Sequence, residues 1–95
     1  MTTGLTGEDG HYRLDSEFTF VTASRLFEAG AEIIKTGGML TLDLAGTGEA
    51  DSAALAVLLG WRRLSGTKGL RLVNPPPGLL ALAQLYGAAE LIFPD

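Results

Sequence analysis

The sequence has no cysteine, which excludes disulfides, thiolate metal ligation and cysteine nucleophiles and suits a reducing compartment. It has one histidine, His11. Basic residues are few: Lys and Arg total 7 against 11 Asp and Glu, for a formal charge of −4. That balance disfavours sequence-blind nucleic-acid binding, which needs a basic surface. No uninterrupted apolar run is long enough to span a bilayer. Leu72 to Ala89 is uncharged, but Pro75, Pro76 and Pro77 interrupt it and only a short apolar part follows. Met1 to Gly10 has neither a basic nor an apolar signal-peptide region and reads as a short flexible tail. The expectation is a soluble chain without direct membrane insertion.

What is present is 95 residues with 46% hydrophobic content, enough for one domain with its own core. His11 to Leu14 and Phe18 to Val21 read as short strands, with Asp15-Ser16-Glu17 as the turn of a hairpin. Thr22 is placed to cap a helix over Ala23 to Lys35. Leu26, Phe27, Gly30, Ile33 and Ile34 form its buried face; Arg25, Glu28, Glu32 and Lys35 lie toward water. Gly37-Gly38 stops it. Leu40, Leu42 and Leu44 then alternate with Thr41, Asp43 and Ala45 as a strand. Residues 47–51 read as a loop, and a second helix follows over Ala53 to Ser65, ended by Gly66-Thr67-Lys68-Gly69. Leu70 to Val73 is a strand. Pro77 suits the first turn of a helix over Gly78 to Tyr86, with Leu79, Leu82, Ala83 and Tyr86 on one face and Gly87 at its end. Leu91 to Phe93 is a last strand or half-turn. Strand–helix alternation predicts an α/β domain with a mixed, mainly parallel sheet and helices packed on it.

The second helix carries the functional argument. At 100° per residue, Leu55, Leu58 and Leu59 fall together, flanked by Ala54, Val57, Trp61 and Leu64. Arg62 falls inside this arc, in the last turn, where its head is expected to reach water. The remaining face is small: Ser52, Ala53, Ala56 and Gly60, with Arg63 at its far end. Two readings stand side by side. These residues are good helix formers, with Gly60 accommodating a neighbour and Trp61 filling core. Alternatively the small face lets another backbone approach, with Ser52 as a polar tip.

Catalytic chemistry finds no constellation. Gly46-Thr47-Gly48-Glu49-Ala50-Asp51 lacks the third glycine of a dinucleotide loop, Glu49 and Asp51 would repel a pyrophosphate, and no Gly-Lys-Ser/Thr ending is present. Asp43, Glu49 and Asp51 have no His or Cys beside them to make a metal site. Asp43 is expected on a strand face covered by a helix, and Asp51 is better read as a helix start. Ser52 has no base in reach and no nucleophile elbow, so His11 is expected at the surface or an edge, and Trp61 and Tyr86 in the core. No catalytic, metal or cofactor residue is expected; the chain reads as a binding module.

The order of elements, with Leu42-Asp43-Leu44 followed by Asp51-Ser52-Ala53-Ala54-Leu55, resembles the STAS domain over residues 11–95. Within that family the Asp51-Ser52 start, Leu55-Ala56-x-Leu58-Leu59 and the later Leu82-Ala83-x-Leu85-Tyr86 resemble the MlaB-like branch. These are small cytoplasmic subunits of phospholipid-transport ABC complexes. The resemblance implies a partner, the ATPase subunit (MlaF-like), and indirect association with permease and substrate-binding subunits at the inner membrane. It implies docking through Asp51, Ser52, Ala53, Ala56, Gly60 and Arg63, with Thr47 and Glu49 beside them. STAS modules that act as anti-sigma-factor antagonists are the alternative. Their switch motif is typically Asp-Ser-Ser/Thr-Gly, and the kinase modifies the second hydroxyl residue. Here Ala53 occupies that position and Ala54 the glycine's. A lipid-binding domain in its own right is a third reading.

Overall fold

The computed structural model describes residues 4–66 and 69–94. Met1 to Thr3 of the expected tail, and Thr67 and Lys68 of the expected helix stop, lie outside the described residues.

Side-chain alternation decides which side of the sheet is dry. Strand β1 is Leu5–Glu8, β2 His11–Phe18, β3 Leu40–Ala50 and β4 Leu70–Val73. Leu5, Leu14, Phe18, Leu40, Leu42, Leu44 and Leu70 are buried, while His11, Arg13, Asp15, Glu17, Ala45 and Arg71 are exposed on the opposite side. The strands lie in the order β1-β2-β3-β4. β1 pairs antiparallel with β2, and β3 pairs parallel with both β2 and β4.

Helices α1 (Ala23–Lys35), α2 (Ser52–Ser65), α3 (Pro77–Leu85) and the single turn α4 (Ala89–Ile92) share a core with the dry face. α1 and α2 pack tightly because two glycines admit aromatic rings. A Cβ on Gly30 would overlap the Trp61 ring, and one on Gly60 would come within 2.7 Å of Phe27 Cε1. Trp61 is 1% exposed; its Nε1 donates to the Phe27 carbonyl at 3.1 Å and its ring lies 6.0 Å from that of Phe18. Among the described residues, no helix is long and apolar enough to cross a membrane.

Four expectations about the strands need correction. Leu5–Glu8, assigned to the tail, is a strand. Its Asp9-Gly10 connection to β2, with φ of 54° and 80°, makes a hairpin with both central residues left-handed. β2 runs unbroken through Asp15-Ser16-Glu17, so the hairpin is β1–β2, and Phe20 and Val21 lie outside any strand. β3 likewise continues through the expected loop to Ala50, with register irregularities opposite Leu14 and Glu17 that leave extra residues in β3. Asp43 lies on the face away from the helices.

The helices follow their expected ranges within a residue, and of the two expectations for Leu91 to Phe93, strand or half-turn, the chain forms no strand but ends the single turn α4. Three side chains depart from expectation. Arg62 does not turn to water: its Nε and Nη2 donate to the Ile92 carbonyl at 3.0 and 2.8 Å, and its Nη1 to that of Leu70. Tyr86, placed in the core by periodicity, is 62% exposed because it follows the last residue of α3. Thr22 occupies the N-cap position of α1 without a side-chain cap bond.

Candidate functional site

The start of α2 sits where β3 ends, at the carboxyl end of the parallel strands, the edge at which open α/β sheets meet their ligands. Asp51 holds it. Its Oδ1 accepts from the Ala53 backbone N–H at 2.8 Å, satisfying one of the helix's orphan donors. Its Oδ2 accepts from the Phe20 N–H at 3.1 Å. The Asp51 backbone N–H donates to the Phe18 carbonyl at 3.2 Å. One carboxylate thus joins the first turn of α2 to the β2–α1 connection. The same side chain is better described as a structural clamp than as an open contact group.

Ser52 opens α2 and is exposed; Ala53 is half-buried and Ala56 exposed. These three form the accessible part of the small face. Gly60 does not join them, since Phe27 of α1 occupies the space above it. Arg63 is exposed but stands three turns along, about 16 Å from Ser52 at 1.5 Å per residue. Glu49 is exposed near the end of β3. Thr47 is half-buried, and its hydroxyl oxygen is enclosed without a hydrogen-bond partner among the described residues, so it presents no polar group to the rim.

Sequence reasoning missed the most exposed apolar residues beside this start. Phe20 and Val21 are 77% and 75% exposed. The loop that carries them is tied at several points. The Thr19 N–H donates to Thr22 Oγ1 at 3.1 Å, and that hydroxyl donates to the Glu17 carbonyl at 2.8 Å. The Val21 N–H donates to Thr19 Oγ1 at 3.3 Å. Thr22 is therefore spent on the loop, which explains its missing helix cap. No local signal separated Phe20 and Val21 from a strand, because Phe18-Thr19-Phe20-Val21 has strand composition throughout.

The other charged groups gather elsewhere. On the open sheet face Arg13 pairs with Asp15 at 2.9 Å and lies 3.8 Å from Asp43. The Asp43 carboxyl is held below its usual value, chiefly by the Ala45 N–H, which donates to it at 2.9 Å, and further by the Asn74 side-chain amide and by Arg13. A shallow open depression of about 390 Å³ on this face is lined by Thr6, His11, Arg13, Thr41 and Asp43. Asp43 and Asp51 serve different networks, and no three His, Cys, Asp or Glu side chains among the described residues are placed to hold a metal ion. His11 pairs with Thr41 at the start of β3, while Ser52 follows its far end. They stand on the order of 25–30 Å apart at a strand rise of ~3.3 Å per residue, so they form no nucleophile–base pair.

No curated protein matches this sequence. Comparison with protein-family models matches residues 1–93 to the family described as "Mlab, STAS domain". The match covers nearly the whole chain, and the four-stranded mixed sheet with its helices agrees with a STAS fold. The chain belongs to the STAS domain family and, within it, is most like MlaB.

Proposed function

We propose that the chain is a non-catalytic subunit that binds the ATPase of an Mla-type phospholipid-transport ABC complex and stabilises that ATPase in its assembled, active form. The observation that carries this reading is the held α2 start. Asp51 fixes its first turn, leaving Ser52 and Ala56 exposed and Ala53 half-exposed beside them. The match to the family described as "Mlab, STAS domain" supports this reading. A methyl group at Ala53, in place of the hydroxyl typical of switched antagonists, supports transport over kinase-controlled regulation.

The mechanism needs no chemistry in this chain. A subunit that binds only the assembled state of its partner shifts the population toward that state by mass action. In this reading the protein is cytoplasmic and peripheral to the inner membrane. It reaches permease and substrate-binding subunits only through the ATPase, and contributes indirectly to outer-membrane lipid asymmetry.

Ser52→Glu tests the docking face. It adds a longer, charged side chain at the exposed tip without touching the core. The variant is expected to keep the wild-type melting curve and to lose at least tenfold in affinity for the purified ATPase, about 1.4 kcal/mol. Undiminished co-purification of Ser52→Glu would place the interface elsewhere.

A further inference from the structure

We propose that Phe20 and Val21 form a preset apolar knob that anchors the chain in a basic-rimmed apolar pocket of its partner, and that Asp51 is the residue that positions the knob. The proposal rests on the ATPase reading above and assigns the anchoring contact within it.

Exposure alone does not single out these residues, since Leu85 and Tyr86 are 78% and 62% exposed. Location does. Leu85 and Tyr86 lead into α4, which Arg62 ties to the last turn of α2. Phe20 shares the Asp51 carboxylate with the first turn, next to Ser52. The knob is therefore continuous with the small face. It is also held in place before binding, because the bonds from Asp51, Thr19 and Thr22 fix the backbone on which both side chains stand. A contact held in advance loses less entropy on association.

Charge identifies the kind of partner. Glu17 lies against Gly48, a Cβ on which would stand 3.7 Å from Glu17 Cγ, and Glu49 is exposed next in β3. Together Glu17 and Glu49 make an acidic rim of exposed carboxylates at the ends of β2 and β3, on a chain of net charge −4. Such a rim repels an anionic bilayer and complements a pocket edged by Lys or Arg. A protein partner is the better match to a pair of apolar side chains set in a fixed loop.

The test uses the full-length chain and the purified ATPase of the Mla-type transporter from the same genome, with affinity read by calorimetry. The double variant Phe20→Ser/Val21→Ser is expected to melt like wild type and to bind at least about 30-fold more weakly, as removal of a central anchor does. Leu85→Ser is expected to bind normally. Asp51→Ala is expected to lose about tenfold in the wild-type background and almost nothing further in the double variant, with partial rescue by Asp51→Asn. Normal binding by the double variant while Ser52→Glu binds poorly would overturn the knob and leave the ATPase reading standing. Failure of wild type to bind the ATPase would overturn both. Fully additive loss from Asp51→Ala would remove its positioning role. Phosphatidylglycerol-containing vesicles are expected to bind neither form; binding by wild type that the double variant lacks would make the knob a membrane contact and overturn the protein pocket.

Discussion

Gly30 lets the largest side chain of the core lie against the backbone of α1. The Trp61 ring occupies the space where any other residue at position 30 would carry its Cβ. Trp61 is held by a hydrogen bond to Phe27 and packed near Phe18, so it has little freedom to withdraw. Gly30→Ala trades a gain in helix propensity, about 1 kcal/mol, for overpacking of a fully formed contact. The overpacking cost is typically about 1–3 kcal/mol and should exceed the gain here, because the clash is with ring atoms on a pinned side chain. Urea denaturation followed by tryptophan fluorescence should show a lowered midpoint. A midpoint at or above that of wild type would mean that α1 shifts to make room. The same reasoning separates Gly30 and Gly60 from the docking face, since both are used inside the molecule.

Arg62 governs how α4 is held. Periodicity placed its side chain in the apolar arc of α2, and the expected escape to water does not occur because the Leu70 and Ile92 carbonyls lie within reach. Leu70 belongs to the edge strand β4 and Ile92 closes α4, so one guanidinium joins three elements. A helix of four residues has little stability of its own. Arg62→Met keeps most of the apolar stem and removes these bonds. It should lower stability by about 2 kcal/mol and speed amide exchange at Leu91 to Phe93 more than in α1. Unchanged exchange there would show that packing of Ile92 alone retains α4. The longer helices were legible from sequence because each repeats an apolar stripe over several turns. β1 was not read, since it buries Leu5 alone and otherwise consists of Thr6, Gly7 and Glu8. The Asp9-Gly10 pair was the available signal for its hairpin. The α2 start was legible because a capping carboxylate and a small-residue face are local patterns. The Phe20–Val21 loop was not, because its conformation depends on Asp51, thirty-one positions away in the chain.

At the scale of the molecule, all helices contribute to the core on one side of the sheet, and the other side carries charges. Most parallel sheets are covered on both faces; this one is short and mixed, and its open face is occupied by Arg13, Asp15, Asp43 and their neighbours. Adjacent residues of β3 should therefore respond very differently to truncation. Leu42, 3% exposed, faces the core. Leu42→Ala should cost about 2–5 kcal/mol. Thr41→Ala, on the open face, should cost about 1 kcal/mol or less. Equal losses in thermal melts would mean that something covers the open face in solution. The mixed α/β class was legible from element order, but the bareness of one face was not. The polar residues of β2 resembled a turn, and only the sheet shows that Asp15 and Glu17 are one side of a continuous strand.

The irregular pairing of β2 and β3 has a consequence for how the strand hands over to α2. Between the pairs Arg13–Asp43 and Phe18–Ala50, β3 takes seven residue steps where β2 takes five. An odd surplus would invert the strand's parity and send the residue before Asp51 to the opposite face of the sheet. An even surplus conserves it. The extra residues act as a parity-conserving splice: Ala50 stays in phase with buried Phe18 and packs against the core, and the chain passes directly from it through Asp51 into α2.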